Sequence, residues 1–360
     1  MSRRGLTLAL AGSLVVVLGI LTSVLPVPYV VLVPGPVTDT LGSIPAGSGS
    51  DEHNVPVVSA TGARTYPTQG HLYLTTVGIV PGDCSAHPTL WQALRAWWNS
   101  EEAVQPHQAL CPPGDSSQQV QKENEQEMTQ SQRDAITAAL LELGYKPLTE
   151  KVIVGDLSSG LPAEKVLQQG DVIDTIDGKP VTDVATLHQL INAHPVGTTL
   201  SIGITRDGKA RTVQITTVKA QDGTGRPLVG ITPDLTATFA KVNVKIGLDP
   251  SEVGGPSAGL AFTLGIIDKL TPGSLTGGRT VAGTGTIDAF GIVGPIGGIQ
   301  QKIAAAVKAG ATVFLAPASE CADAIAAAPK SLTVVKVDTL KTALSALKAI
   351  AAGSTAFAHC

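Results

Sequence analysis

Aromatic side chains are scarce in this chain: Phe, Tyr and Trp together make up 3% of 360 residues. Its cores must therefore be packed from small aliphatic side chains, and a 43% hydrophobic content supplies enough of them for two or three domains. Charge is also low, 15% of residues with a net charge of -4, and the basic residues are scattered, so no nucleic-acid partner is expected. There is no Gly-x-x-x-x-Gly-Lys-Ser/Thr loop, so no ATP use is expected. There is no Cys-x-x-Cys or His-Glu-x-x-His spacing either, so no metal and no other cofactor is expected. No heptad run demands a coiled coil.

Long apolar runs are few, with one exception at the start. Residues 6–25 are an uncharged run of 20 preceded by Arg3 and Arg4. At 1.5 Å per residue this matches the ~30 Å of a hydrocarbon core, and the basic flank predicts a cytoplasmic N-terminus. The expectation is a single-pass anchor in the cell membrane, with the bulk of the chain outside the cytoplasm. A cleaved signal peptide is the competing reading; its apolar region is usually shorter, and no Ala-x-Ala-like site precedes Pro26 and Pro28.

The four cysteines, Cys84, Cys111, Cys321 and Cys360, suit an oxidising compartment and allow three pairings. Closeness in sequence favours Cys84 with Cys111 and Cys321 with Cys360; four free thiols are the alternative.

Residues 28–33 and 71–80 read as β-rich, with a polar loop over 47–54 between them. Residues 90–102 suit a short helix displaying Trp91, Trp97 and Trp98, either in a core or at a membrane interface. A long helix is expected over 118–143, polar at first and then apolar along Met128, Ile136, Leu140 and Leu143. It reads as a spacer or partner-facing element. Residues 151–218 have the organisation of a small β-rich domain with tight turns at Asp177-Gly178 and Asp207-Gly208 and one amphipathic helix over 183–193.

Two stretches carry the chemistry. In GGPSAGLAFTLGIIDKL, 254–270, Ser257 opens a run of helix formers, so its hydroxyl belongs near a helix N-terminus, where unpaired N–H groups favour developing negative charge. In GPIGGIQQKIAAAVKAG, 294–310, Lys302 stands alone among small apolar residues until Lys308. A lysine at the edge of an apolar core loses hydration in its charged form, and its pKa falls towards the range where the neutral amine can take a proton from serine. That is the chemistry of a Ser-Lys dyad. The same residues also suit an ordinary N-cap and an ordinary first-turn surface lysine.

Gly255-Pro256-Ser257-Ala258-Gly259, then Thr284-Gly285, Gly294-Pro295-Ile296-Gly297-Gly298, Lys302 and the strand 311–317 resemble, in order, the proteolytic domain of the Lon protease family. Leu-Pro-Ala at 161–163, Gly-Asp-Val-Ile at 170–173 and Asp-Gly-Lys-Pro-Val at 177–181 resemble a PDZ domain. The whole order resembles a family of bacterial membrane-anchored PDZ and Lon-type proteases. The resemblance implies Ser257 as nucleophile, Lys302 as general base and Thr284 as its support, with Gly255 and Ala258 near the oxyanion. For the PDZ-like region it implies a peptide groove lined by Leu187, Leu190 and Ile191, with Gly230 in the terminus-binding loop. Two departures stand out: the family's ATP-dependent members usually carry an acidic residue where Gly254 stands and a glutamate where Thr286 stands.

The expected fold is α/β (α+β): a transmembrane anchor over 1–27, a β-rich segment with a long helix over 28–146, a PDZ-like domain over 147–226, a Lon-type proteolytic domain over 227–352 and a tail over 353–360. The expected function is ATP-independent, membrane-anchored serine endopeptidase activity on unfolded or extended polypeptides outside the cytoplasm. Substrate would lie as a strand beside 242–248, and self-association is plausible because Lon-type domains tend to form rings. The alternative is a non-catalytic anchored PDZ adaptor on a Lon-type scaffold.

Overall fold

A computed structural model describes residues 3–46, 53–82, 84–114, 116–221 and 225–360, apart from the side chains of residues 3–6, 8 and 9. The expected polar loop over 47–54 lies outside the described residues except for His53 and Asn54, which open a short strand.

Helix α1 spans Arg3–Val24. Among the described residues no helix is long and apolar enough to cross a membrane. This overturns the expected single-pass anchor, and with it the membrane-bound placement of the chain.

Beyond α1 the chain forms β1 (Tyr29–Asp39), β2 (Val58–Thr61), β3 (His71–Val80), α2 (Leu90–Trp98), β4 (Ala103–Pro106) and α3 (Ser117–Glu142). Then follow β5 (Thr149–Leu157), β6 (Val172–Ile176), α4 (Val184–Asn192), β7 (Thr199–Arg206), β8 (Lys209–Thr216) and β9 (Ile231–Thr238). The last part holds β10 (Asn243–Ile246), α5 (Gly259–Leu270), β11 (Thr280–Gly283), α6 (Ile299–Lys308), β12 (Val313–Pro317), α7 (Cys321–Ala327), β13 (Thr333–Val337) and α8 (Leu340–Ala351).

The larger sheet runs β13-β12-β11-β3-β1-β4. Its β11, β12 and β13 pair in parallel, β11 pairs in parallel with β3, and β1 is antiparallel to both β3 and β4. The stretch 28–146, read from sequence as a separate segment, thus gives β1, β3 and β4 to the same sheet as the strands of 227–352. One apolar cluster joins them, from Leu41 through Leu72, Met128, Leu260 and Phe262 to Ile350. Parallel strands buried on both faces read as continuous apolar runs, and β12, VFLAP, is buried at every position.

The smaller sheet is antiparallel in the order β8-β7-β6-β5-β9 and encloses a second cluster that includes Val152, Ile173, Leu187, Ile191 and Ile202. Asp177 and Gly178 both have positive φ, as do Asp207 and Gly208. That is the backbone a two-residue turn needs to match strand twist, and Asp-Gly tolerates it.

Helix α3 departs from its expected role as a spacer. Its first half is largely exposed, but Met128, Ser131, Asp134, Ala135, Ala138, Ala139 and Leu140 are buried. Small residues at 131, 135 and 138 let α5 approach closely: a Cβ on Gly259 would lie 2.9 Å from Ser131 Oγ. The tryptophans of α2 do not form a core; Trp97 and Trp98 are 78% and 81% exposed.

Disulfides join Cys84 to Cys111 and Cys321 to Cys360. The second ties the C-terminal residues to the start of α7, and the tail lies against β13 through Lys336 N–H to Ala358 O and Cys360 N–H to Val334 O. Closing a loop over a sequence separation of 39 restricts the unfolded chain. Replacing both Cys321 and Cys360 by serine should lower the unfolding free energy by roughly 3–4 kcal/mol, measured by denaturant titration against the oxidised parent.

Candidate active site

The loop before α5 is set by short-range chemistry. Asp249 accepts from the backbone and hydroxyl of Ser251, an Asx turn that starts the bend. Gly255 sits at φ +83, a left-handed conformation that suits glycine. Helix α3 then clamps the loop: Gly255 N–H donates to Asn124 O at 2.9 Å, and Ser131 Oγ donates to Pro256 O at 2.9 Å. Gly254 lies against the same helix, where an added Cβ would stand 2.7 Å from Asn124 Cβ. Helix α3 therefore occupies the space that an acidic side chain at 254 would need.

Ser257 lies two residues before the first residue of α5, whose N-cap is Ala258. Its carbonyl is held twice, by Gly285 N–H at 3.0 Å and by Thr284 Oγ1 at 3.1 Å. The backbone of the serine is thus fixed from one side by α3 and from the other by the Thr284-Gly285 turn. Gly285 is needed there, since a Cβ would come within 2.8 Å of Val293 Cγ1.

Lys302 comes from α6, which begins after Gly298 at φ +68. A Cβ on Gly298 would lie 2.6 Å from Val77 Cγ2, so glycine lets α6 start against β3. The lysine side chain is buried, and its Nζ donates to Ser257 Oγ at 2.8 Å and to Thr284 Oγ1 at 3.0 Å. Loss of hydration lowers its pKa from the usual lysine range to about 7, against a smaller upward pull from Glu320. The fold brings together a hydroxyl, an amine that is substantially neutral near pH 7, and a threonine hydroxyl that links the two.

The other residues singled out from sequence fall differently. Ala258 is buried beside Ser257, at the positive end of α5. Gly255 has its N–H committed to Asn124 O and so does not present it to the cleft. Leu187 and Ile191 are 0% and 6% exposed and belong to the smaller-sheet core, so they do not line an open groove; helix periodicity turns them inward. Leu190 is half-buried against that core. Gly230, at φ +93, packs on Leu161. The segment 242–248 is not a wall of the cleft, because β10 pairs with β2.

A cleft of about 810 Å³ holds Ser257 and Lys302 and is walled by β3, by α3 and by Pro295 to Gly298. Thr286, where a glutamate was noted as usual in the family, lines it too. Sequence reasoning missed the α3 contributors Asn124, Glu127 and Ser131. The available signal was the spacing of small residues at 131, 135 and 138, which marks a helix built for close approach rather than for solvent.

Residues 229–349 match the family model of the Lon protease (S16) C-terminal proteolytic domain, and residues 126–217 match that of the PDZ domain. The chain carries a Lon-type serine peptidase domain. Ser257, Thr284 and Lys302 all fall inside the Lon-type match, whereas residues 117–125 of α3 fall outside both. The Lon protease of Phenylobacterium zucineum is 38% identical over 96 residues, covering 26% of this chain and 12% of that protein. The Lon protease of Methylocella silvestris is 41% identical over 91 residues, 25% of this chain and 11% of that protein. The serine protease Do-like HtrA of Lactobacillus helveticus is 43% identical over 51 residues, 14% of this chain and 12% of that protein. The chain thus spans only about an eighth of the length of the relatives it matches.

A base must be deprotonated to act, so kcat/KM for peptide hydrolysis should rise with pH through a midpoint near 7 and level off above it. Glu320 pulls that midpoint upward, so Glu320→Gln should move it to lower pH in the same pH-rate measurement. A midpoint unmoved by the substitution would separate Glu320 from the site.

Proposed function

We propose that this protein is an ATP-independent serine endopeptidase that cleaves unfolded or extended polypeptide through a Ser257-Lys302 dyad. The observation that carries the reading is the buried amine of Lys302 standing 2.8 Å from Ser257 Oγ. In the first step neutral Lys302 takes the serine proton as Oγ attacks the peptide carbonyl, giving a tetrahedral oxyanion that becomes the acyl-enzyme once the C–N bond breaks. Thr284 accepts from the amine and aims it. Backbone N–H groups at Ser257 and Ala258 hold the oxyanion, each donor worth roughly 3 kcal/mol of transition-state stabilisation. The lysine then protonates the leaving amine, and water, activated by the same neutral amine, releases the acyl group.

Substrate is bound along β3. That strand pairs with β11 only as far as Leu74, opposite Gly283, while its residues 75–79 continue into the cleft with their β11 side free of a strand partner among the described residues. An extended peptide can add there by main-chain hydrogen bonds. This mode admits only chains already locally unfolded, which fits a peptidase without an unfolding motor; no phosphate-binding loop occurs within these 360 residues. The PDZ domain recruits a chain terminus or extended segment at β9, the last strand of its sheet, with α4 nearby.

Hydrolysis of an unfolded fluorogenic peptide should fall at least ~10³-fold in Ser257→Ala and in Lys302→Met, with labelling of Ser257 by a fluorophosphonate lost in the first. Addition of ATP and magnesium should leave the parent rate unchanged. Equal hydrolysis by parent and Ser257→Ala would favour the non-catalytic adaptor instead.

A further inference from the structure

The cleft around the dyad has a charge pattern that peptide hydrolysis alone does not require. Three ionisable side chains line it: Glu127 of α3, Glu252 of the loop before Ser257, and Lys302. Burial lowers the lysine pKa to about 7, so near neutral pH it carries about half a charge and only partly balances the two carboxylates. Glu127 is half-buried, and burial together with Glu123 and Asp156 raises its carboxyl above the usual range. Among the described residues neither Glu127 nor Glu252 is in a salt bridge with a lysine or arginine. The surrounding wall is apolar, with Leu32, Val77, Leu110, Met128 and Ile296. An acid set in an apolar wall suits a long aliphatic stem ending in a cation, the shape of a lysine or arginine side chain.

We infer that the cleft selects polypeptide segments with a lysine or arginine next to the scissile bond, and that Glu127 of α3 is the residue that reads it. This rests on the peptidase reading above and names its substrate class. A cationic side chain entering the cleft relieves the crowding of Glu127 by Glu123 and Asp156; an acidic one adds to it. Because Glu127 lies on the same helix that clamps the Ser257 loop, the selecting carboxylate and the nucleophile are fixed to one frame. Glu252, exposed at the mouth, adds to the field without the same desolvation.

The test is a set of fluorogenic peptides of one sequence, carrying Lys, Gln or Glu in turn at each residue flanking the cleaved bond. The parent should favour the Lys over the Glu peptide by roughly tenfold or more in kcat/KM at one of these positions, with the ratio narrowing in high salt. Glu127→Gln should bring the ratio close to one, and Glu127→Lys should invert it. A parent ratio near one at every position, or a ratio unchanged in both variants, overturns the inference while leaving the peptidase reading intact. The salt dependence, read on the parent alone, does not depend on a variant folding, and a ratio that stays constant with salt also counts against it. Hydrolysis of none of the peptides by the parent would overturn the peptidase reading and this inference together.

Discussion

The site depends on keeping an ammonium group out of water. Lowering the Lys302 pKa to about 7 costs the folded state on the order of 5 kcal/mol at neutral pH relative to a solvated lysine. The apolar packing of α6 between the larger sheet and α7 offsets that cost, through Ile299, Ile303 and Ala306 against Phe314 and Ala324. The small residues that dominate this chain let α6 and α7 come close enough to exclude water. The two acceptors left to the amine, Ser257 Oγ and Thr284 Oγ1, are the groups the chemistry uses.

A second constraint comes from α3, which no family model covers in full. Its N-terminal half walls the cleft and its middle fixes the Ser257 loop. Further along, the pKa of buried Asp134 is raised to about 9, because burial and the nearby Asp234 of β9 disfavour its ionised form. Asp234 in turn accepts from Ala289 N–H, and Ala289 packs in the core of the smaller sheet. An acidic pair, Asp134 of α3 and Asp234 of β9, thus stands where the smaller sheet meets the helix that clamps the nucleophile.

The pairing of Ser257 with Lys302 was an expectation of the family resemblance, since the residues alone also suit an N-cap and a surface lysine; the structure sets the two side chains 2.8 Å apart. The Asp-Gly turns and the alternating strands of the smaller sheet were legible from the residues themselves, because local chemistry decides them. The role of α3 was not, since a polar first half says nothing about what the second half meets 125 positions away at Pro256. Leu187 and Ile191, which the PDZ resemblance assigned to a groove, lie in the smaller-sheet core, and a helix stripe shows which face is apolar but not what covers it. That β3 and not 242–248 lines the cleft could not be read from the sequence, because pairing between distant strands, β10 with β2 and β3 with β11, is not written in either strand alone. The apolar run after Arg4 suggested a membrane span by composition, and the described helix there does not supply one.

The most direct test of a dehydrated Lys302 is its own titration, followed by NMR of the side-chain ¹³Cε in protein labelled at lysine and assigned with Lys302→Met. The account predicts a midpoint near 7, well below that of the surface lysines. A midpoint in the ordinary lysine range would leave the amine charged at neutral pH and remove the base on which the mechanism rests.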